Sequence, residues 1–246
     1  MTHDSYRLLV AGASGETGID ILDYLAETDY TARAMTRHGE NESRLRRHGA
    51  DEVVVGDLFD RDDALRAVDG VDGVLCAVGS PRRRFLYGRP VDGDGVQRLV
   101  DAALHHDVSY FVFESALGVG DSKGGLSLPE RLLRYRVLRA KHETEKYLRE
   151  SELPHTIIRP GRLREGEMTQ DLVVAEGGAT VSGSVRRADV AWLMVAALTT
   201  PEARNRTFEV VGPESAPGGV EDVVEFDWRG PETGLVATRS DYSIPL

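Results

Sequence analysis

Residues 8–22, Leu8-Leu9-Val10-Ala11-Gly12-Ala13-Ser14-Gly15-Glu16-Thr17-Gly18-Ile19-Asp20-Ile21-Leu22, constrain the fold more than any other stretch. An apolar run ends in three glycines spaced by three, and apolar residues at helical spacing follow. The pattern reads as a strand, a tight turn and a helix. Gly12 permits the turn out of the strand, and Gly15 removes a side chain where a pyrophosphate would approach the backbone. Gly18 lets the helix lie close to the sheet. The first helical turn offers free N–H groups and a partial positive charge to an anion. Ser14 and Thr17, lying between the glycines, join them as candidate contacts.

A chain of 246 residues with 41% hydrophobic content can bury one large α/β core, with or without a small appendage. The reading divides it into residues 1–212, the domain with a small substrate-side part, and residues 213–246, a tail of no assigned role. The net charge of −11 argues against nucleic acid or an anionic membrane surface as partner. Cys76 is the only cysteine, so no intrachain disulfide is possible. Thr2 to Arg7 is polar, no apolar leader follows, and no run reaches the ~18 apolar residues of a membrane span. The expectation is a cytoplasmic monomer or homodimer.

Strand and helix patterns alternate along the chain. Strands are expected at Tyr6–Ala11, Thr31–Thr36, Glu52–Val55, Gly73–Val78, Tyr110–Glu114 and His155–Arg159. Helices are expected at Glu16–Glu27, Glu42–His48, Asp60–Val68 with Asp60 as N-cap, Val96–His105 and Glu130–Glu150. Pro81–Gly95 reads as a loop rich in arginine and glycine. A strand near Asp171–Ala175, a helix at Ala188–Leu198, a strand at Thr207–Val211 and a possible strand at Val223–Trp228 complete the reading. The alternation predicts a doubly wound, mostly parallel sheet with helices on both faces.

In such a sheet, ligands bind at the carboxyl ends of the strands. Strand two ends at Thr36-Arg37. An acid there would select NAD by binding a ribose 2′-hydroxyl. Arg37 instead predicts a bidentate clamp on a 2′-phosphate, and hence NADP(H) over NAD(H). Arg33, four residues back, is expected on the same face. Strand three ends at Gly56-Asp57-Leu58, where Asp57 either accepts from an adenine amino group or caps a turn. Strand four ends at Cys76-Ala77-Val78-Gly79, small residues past which a dinucleotide could run. Cys76 reads as a core residue, without a basic partner to activate it. Ser115, after strand five, faces the cleft and either bonds a carbonyl substrate or begins a turn.

In the long helix, Leu133, Val137, Ala140, Thr144, Tyr147 and Leu148 fall within an arc of about 100°, the expected buried stripe. Lys141 lies about 20° beyond its edge, and Tyr135 about 120° round from Lys141, out of reach of the same site. The histidines show no zinc spacing, so no metal site is expected.

Together, Gly12-xx-Gly15-xx-Gly18, Arg37, Gly56-Asp57, Ser115, Lys141 and His155-Thr156-Ile157-Ile158-Arg159-Pro160-Gly161 resemble the atypical short-chain dehydrogenase/reductase superfamily. They are most similar to its small NAD(P)H-binding members, the NmrA-like proteins and the biliverdin and flavin reductases. Val185-Arg186-Arg187-Ala188-Asp189-Val190-Ala191 resembles the segment leading into the last helix of that superfamily. The resemblance covers residues 6–212 and implies an NAD(P)-binding Rossmann fold. It further implies that Lys141 holds the nicotinamide ribose and that Pro160 and Gly161 border the nicotinamide ring. One departure stands out. The working pair of the superfamily is a tyrosine four residues before the lysine, and here that position is Val137.

Three functions follow from this reading. The first is an NADP(H)-dependent oxidoreductase acting on a small carbonyl, quinone or flavin, with Ser115 and Lys141 as candidate catalytic residues. The second is a non-catalytic NADP(H)-binding redox sensor of NmrA-like kind. The third, a nucleotide-sugar epimerase or dehydratase, is disfavoured by the missing tyrosine and the short C-terminal portion.

Overall fold

Alternate residues of the first strand face opposite cores, and this organises the molecule. The computed structural model describes residues 6–80, 88–122, 128–176, 178, 181–215, 223–225 and 227–230. Strand β1 (Arg7–Ala11) sends Leu8 and Val10 into a core shared with helices α1 (Glu16–Leu25) and α6 (Arg187–Thr199). Leu9 and Ala11 enter a second core with α3 (Arg61–Val68) and α4 (Asp94–His105). A strand buried on both faces is the signature of a doubly wound sheet. Helix α6 is buried nearly all round, in keeping with its apolar run from Val190 to Leu198.

The other elements are β2 (Thr31–Thr36), α2 (Glu42–Arg47), β3 (Glu52–Val55), β4 (Gly73–Cys76), β5 (Tyr110–Glu114), α5 (Leu128–Glu150), β6 (His155–Pro160), β7 (Arg162–Arg164), β8 (Val173–Ala175), β9 (Ser184–Arg186) and β10 (Arg206–Val211). The main sheet has the order β3-β2-β1-β4-β5-β6-β10-β8, parallel except that β8 pairs antiparallel with β10. The order reverses direction between β1 and β4, which opens a crevice at their carboxyl ends. Asp60 caps α3 as expected, its carboxylate accepting from the N–H groups of Asp62 and Asp63.

Three features differ from the sequence reading. Strands β7 and β9 form a separate parallel pair, too short at three residues each to show alternation. Among the described residues of 223–228, only Val223 bridges, antiparallel to Ala175. In α5, Leu133 and Tyr147 are 53% and 38% exposed, while Leu138, Lys141 and Glu145 are buried. The amino-terminal half of that helix borders open clefts, so its stripe faces cavities instead of core. Residues 81–87 of the arginine-rich loop lie outside the described residues.

Candidate functional site

The glycine turn is built by close backbone packing. Gly12 has φ +82°, and a Cβ there would stand 2.6 Å from the Ala77 carbonyl oxygen. A Cβ on Gly18 would stand 2.4 Å from the Gly12 carbonyl oxygen. Gly18 therefore seats α1 on the turn itself, where the sequence suggested the sheet. Gly15 is the N-cap of α1 and supplies no side-chain cap, so the first-turn N–H groups face the crevice.

A cleft of about 1480 Å³ spans the strand ends from this turn. It is lined by Gly12, Ser14, Gly15, Thr17, Arg37, Leu58, Ala77, Ser115, Lys141, Pro160 and Gly161. Asp57 does not line it. Its carboxylate accepts from the Phe59 N–H at 3.0 Å, closing an Asx turn. Arg37 is exposed and carries no ion pair among the described residues. Arg33 does not join it. Its guanidinium is held by Glu52 at 2.6 Å and by the carbonyls of Ala67 and Asp69. Arg37 lies one residue past the end of β2, so strand parity no longer governs where it points.

Lys141 is 6% exposed, its ammonium donating to the Glu114 carbonyl at 2.8 Å and pairing with Asp92 at 3.2 Å. It also stands 5.0 Å from the Phe113 ring centroid. Asp92 is fully buried, with its other oxygen accepting from the Ser80 N–H. Sequence reading missed Asp92 because it sits in a segment read only as loop. The Glu114 side chain accepts from the Thr17 hydroxyl at 3.3 Å, and burial pushes its carboxyl above the ordinary range against the pull of Lys141. The Cys76 thiol is pushed up to about 12 by burial, which leaves no thiolate for nucleophilic work.

Ser115 is 4% exposed, and its hydroxyl donates to Glu145 Oε1 at 2.5 Å. Glu145 in turn receives Arg159 Nε at 3.0 Å and Nη2 at 2.7 Å. Burial works against the Arg159 charge, yet its hydrogen bonds to Glu145, Asp121 and Glu209 hold the guanidinium well above its ordinary value. The donor of Ser115 is thus spent on the protein. Glu145 sits one turn after Lys141, and that spacing was its only sequence signal. The roof over Pro160 and Gly161 comes from the unforeseen β7 and β9. A Cβ on Gly161 would lie 2.5 Å from the Gly183 carbonyl oxygen.

No group of three or more His, Cys, Asp or Glu side chains among the described residues is placed to hold a metal ion. No described helix is long and apolar enough to cross a membrane.

A doubly wound sheet with a glycine turn, an uncapped helix N-terminus and a buried lysine across the crevice has the form of a dinucleotide-binding fold. The chain belongs to the NAD(P)H-binding family, whose family model matches residues 12–201. It is 30% identical over 207 residues to an uncharacterized sugar epimerase of Bacillus subtilis (strain 168), covering 83% of this chain and 93% of that protein. It is 26% identical over 258 residues to sanguinarine reductase of Eschscholzia californica, covering 87% and 90%. The solved structure of ChuY, an anaerobillin reductase from Escherichia coli O157:H7, superposes with a TM-score of 0.75 at 24% identity, covering 86% of this chain and all of that one. At that identity the likeness carries the fold alone.

Proposed function

We propose that this protein is an NADP(H)-dependent oxidoreductase acting on a small carbonyl, quinone or flavin acceptor. The observation that carries the reading is Lys141, an ammonium buried in the cleft wall, hydrogen-bonded to the Glu114 carbonyl and ion-paired with Asp92. A further donor of the ammonium would serve a ribose hydroxyl. Arg37 would clamp the 2′-phosphate, the first turn of α1 would receive the pyrophosphate, and Pro160 and Gly161 would border the nicotinamide. Bound NADPH supplies a hydride. Val137 has no proton to give, and the Ser115 hydroxyl already donates to Glu145, so the reduced acceptor takes its proton from solvent. The missing tyrosine also separates this reading from the epimerase name of the bacterial relative, while the plant relative bears a reductase name.

The same two residues favour a second reading, a sensor that binds NADP(H) without turnover. Calorimetric titration with NADPH and NADH, paired with NADPH oxidation on flavins, quinones and aldehydes, separates the two. Tight NADPH binding with no turnover on any acceptor selects the sensor. Arg37→Ala should lose a charge-assisted bond of ~1.5–3 kcal/mol. That corresponds to roughly 10- to 100-fold in NADPH affinity, with NADH affinity nearly unchanged. Equal losses for both cofactors would remove Arg37 from the site.

A further inference from the structure

Helix α5 turns two faces to two cavities. Glu130, Arg134, Val137 and Lys141 border the dinucleotide cleft. Leu128, Leu132, Tyr135, Arg139 and His142, at alternating spacings of four and three, border a second cleft of about 1020 Å³. Tyr135 lies about 160° round the helix from Val137. The floor of this cleft is Arg159, already engaged by Glu145, Asp121 and Glu209. Gly120 holds the floor open at φ +60°. A Cβ there would stand 2.8 Å from Arg159 Nη2 and 3.5 Å from His142 Nδ1.

The wall combines two chemistries. Leu128, Leu132 and Tyr135 are 77%, 78% and 57% exposed, a concentration of apolar surface that marks a contact site. Arg131 and Arg139 stand among them, neither with a hydrogen bond nor an ion pair among the described residues. The other arginines of the lining, Arg149, Arg159 and Arg206, are paired with Glu145, Asp121, Glu209 and Glu176, so Arg131 and Arg139 carry the uncompensated charge of the wall, in a chain whose net charge is −11.

We propose that this second cleft binds a small organic anion with an apolar, ring-sized body. Arg131 and Arg139 supply the positive charge that attracts the acidic group, and Leu132 and Tyr135 cover the body. Charge complementarity selects the occupant. A neutral molecule leaves the two arginines unused, and a sugar phosphate leaves the leucines in water.

The test uses 8-anilinonaphthalene-1-sulfonate, followed by fluorescence on the full chain with saturating NADP⁺ filling the other cleft. Binding should persist under NADP⁺. The double variant Arg131→Gln/Arg139→Gln should weaken it by roughly ten-fold or more, with the near-UV circular dichroism unchanged. N-phenyl-1-naphthylamine, a similar ring system without the sulfonate, should bind wild type roughly ten-fold less tightly, a comparison that needs no variant. Displacement of the probe by NADP⁺, unchanged affinity in the double variant, or equal binding of the uncharged ring overturns the proposal. So does sedimentation showing a dimer that Leu132→Asp converts to monomer, because a second copy then occupies the face.

Discussion

Lys141 and Asp92 form a buried pair, and neither can lose the other cheaply. Lys141→Met leaves a fully buried carboxylate without its countercharge, at a cost of ~3–5 kcal/mol in stability. Urea denaturation should show that loss, and adding Asp92→Asn should recover most of it. NADPH affinity should stay low in the double variant if the lysine serves the ribose. Recovery of both quantities would make its role structural. Glu114 gives a pH signature. Burial raises its folded-state value above the ordinary 4.5, so the folded chain holds that proton more tightly than the unfolded chain. The stability it brings is complete below the ordinary value and is lost as pH rises through the raised one. Glu114→Gln should therefore gain melting temperature over wild type progressively as pH rises above about 4.5, still accepting from Thr17. A pH-independent difference would contradict this. The positions of Arg37 and Lys141 along the cleft were legible in the sequence because a strand end and a helix register place them there. Asp92, Glu145 and the Arg159 cluster were not, because their partners lie far away in the chain, as Arg159 and Glu209 do.

At the scale of elements, the turn into α1 assigns its glycines different work. The added atom of Gly18→Ala would meet the Gly12 carbonyl at 2.4 Å and the Ala13 Cα at 2.7 Å, backbone atoms that cannot swing aside. That overpacking should cost ~1–3 kcal/mol in stability and take cofactor binding with it. In Gly15→Ala the nearest atom is 3.2 Å away, so the fold should hold while NADPH affinity falls. Melting temperature and calorimetry on both variants test the split, and equal melting losses would refute it. Strand positions emerged well from sequence because each central strand is a short apolar run between turn residues. Strands β7 and β9 did not, since Arg162-Leu163-Arg164 and Ser184-Val185-Arg186 carry one apolar residue each and, among the described strands, pair with one another. Helix α5 misled in its first half. Its apolar and charged residues line two cavities there, and helical period alone cannot tell a core from a cleft.

At the scale of the whole molecule, the segment after β10 returns to the sheet. Val223 bridges Ala175, the Val224 N–H donates to the Val174 carbonyl at 2.8 Å, and Trp228 meets the Phe208 ring edge-on at 5.4 Å between centroids. A chain ending at Ser215 would bare the outer side of β8. It should keep its NADPH affinity, because the cleft lies elsewhere, and self-associate through the open edge. Light scattering against concentration decides this, and a monodisperse truncated chain would show the edge to be harmless. The strand order carries one more consequence, for how the protein is made. β8 precedes β10 in the chain but lies outside it, and its sheet partner among the described strands is β10, so β8 joins the sheet only after β10 has paired with β6. During synthesis, strands β1 to β6 can assemble as they emerge, yet the flank of β6 stays unpaired until residue 211 has been added. At ~5–20 residues per second that interval lasts several seconds on the ribosome. The nascent chain then holds a half-built Arg159 cluster and an open strand, the stage at which a chaperone would be needed most.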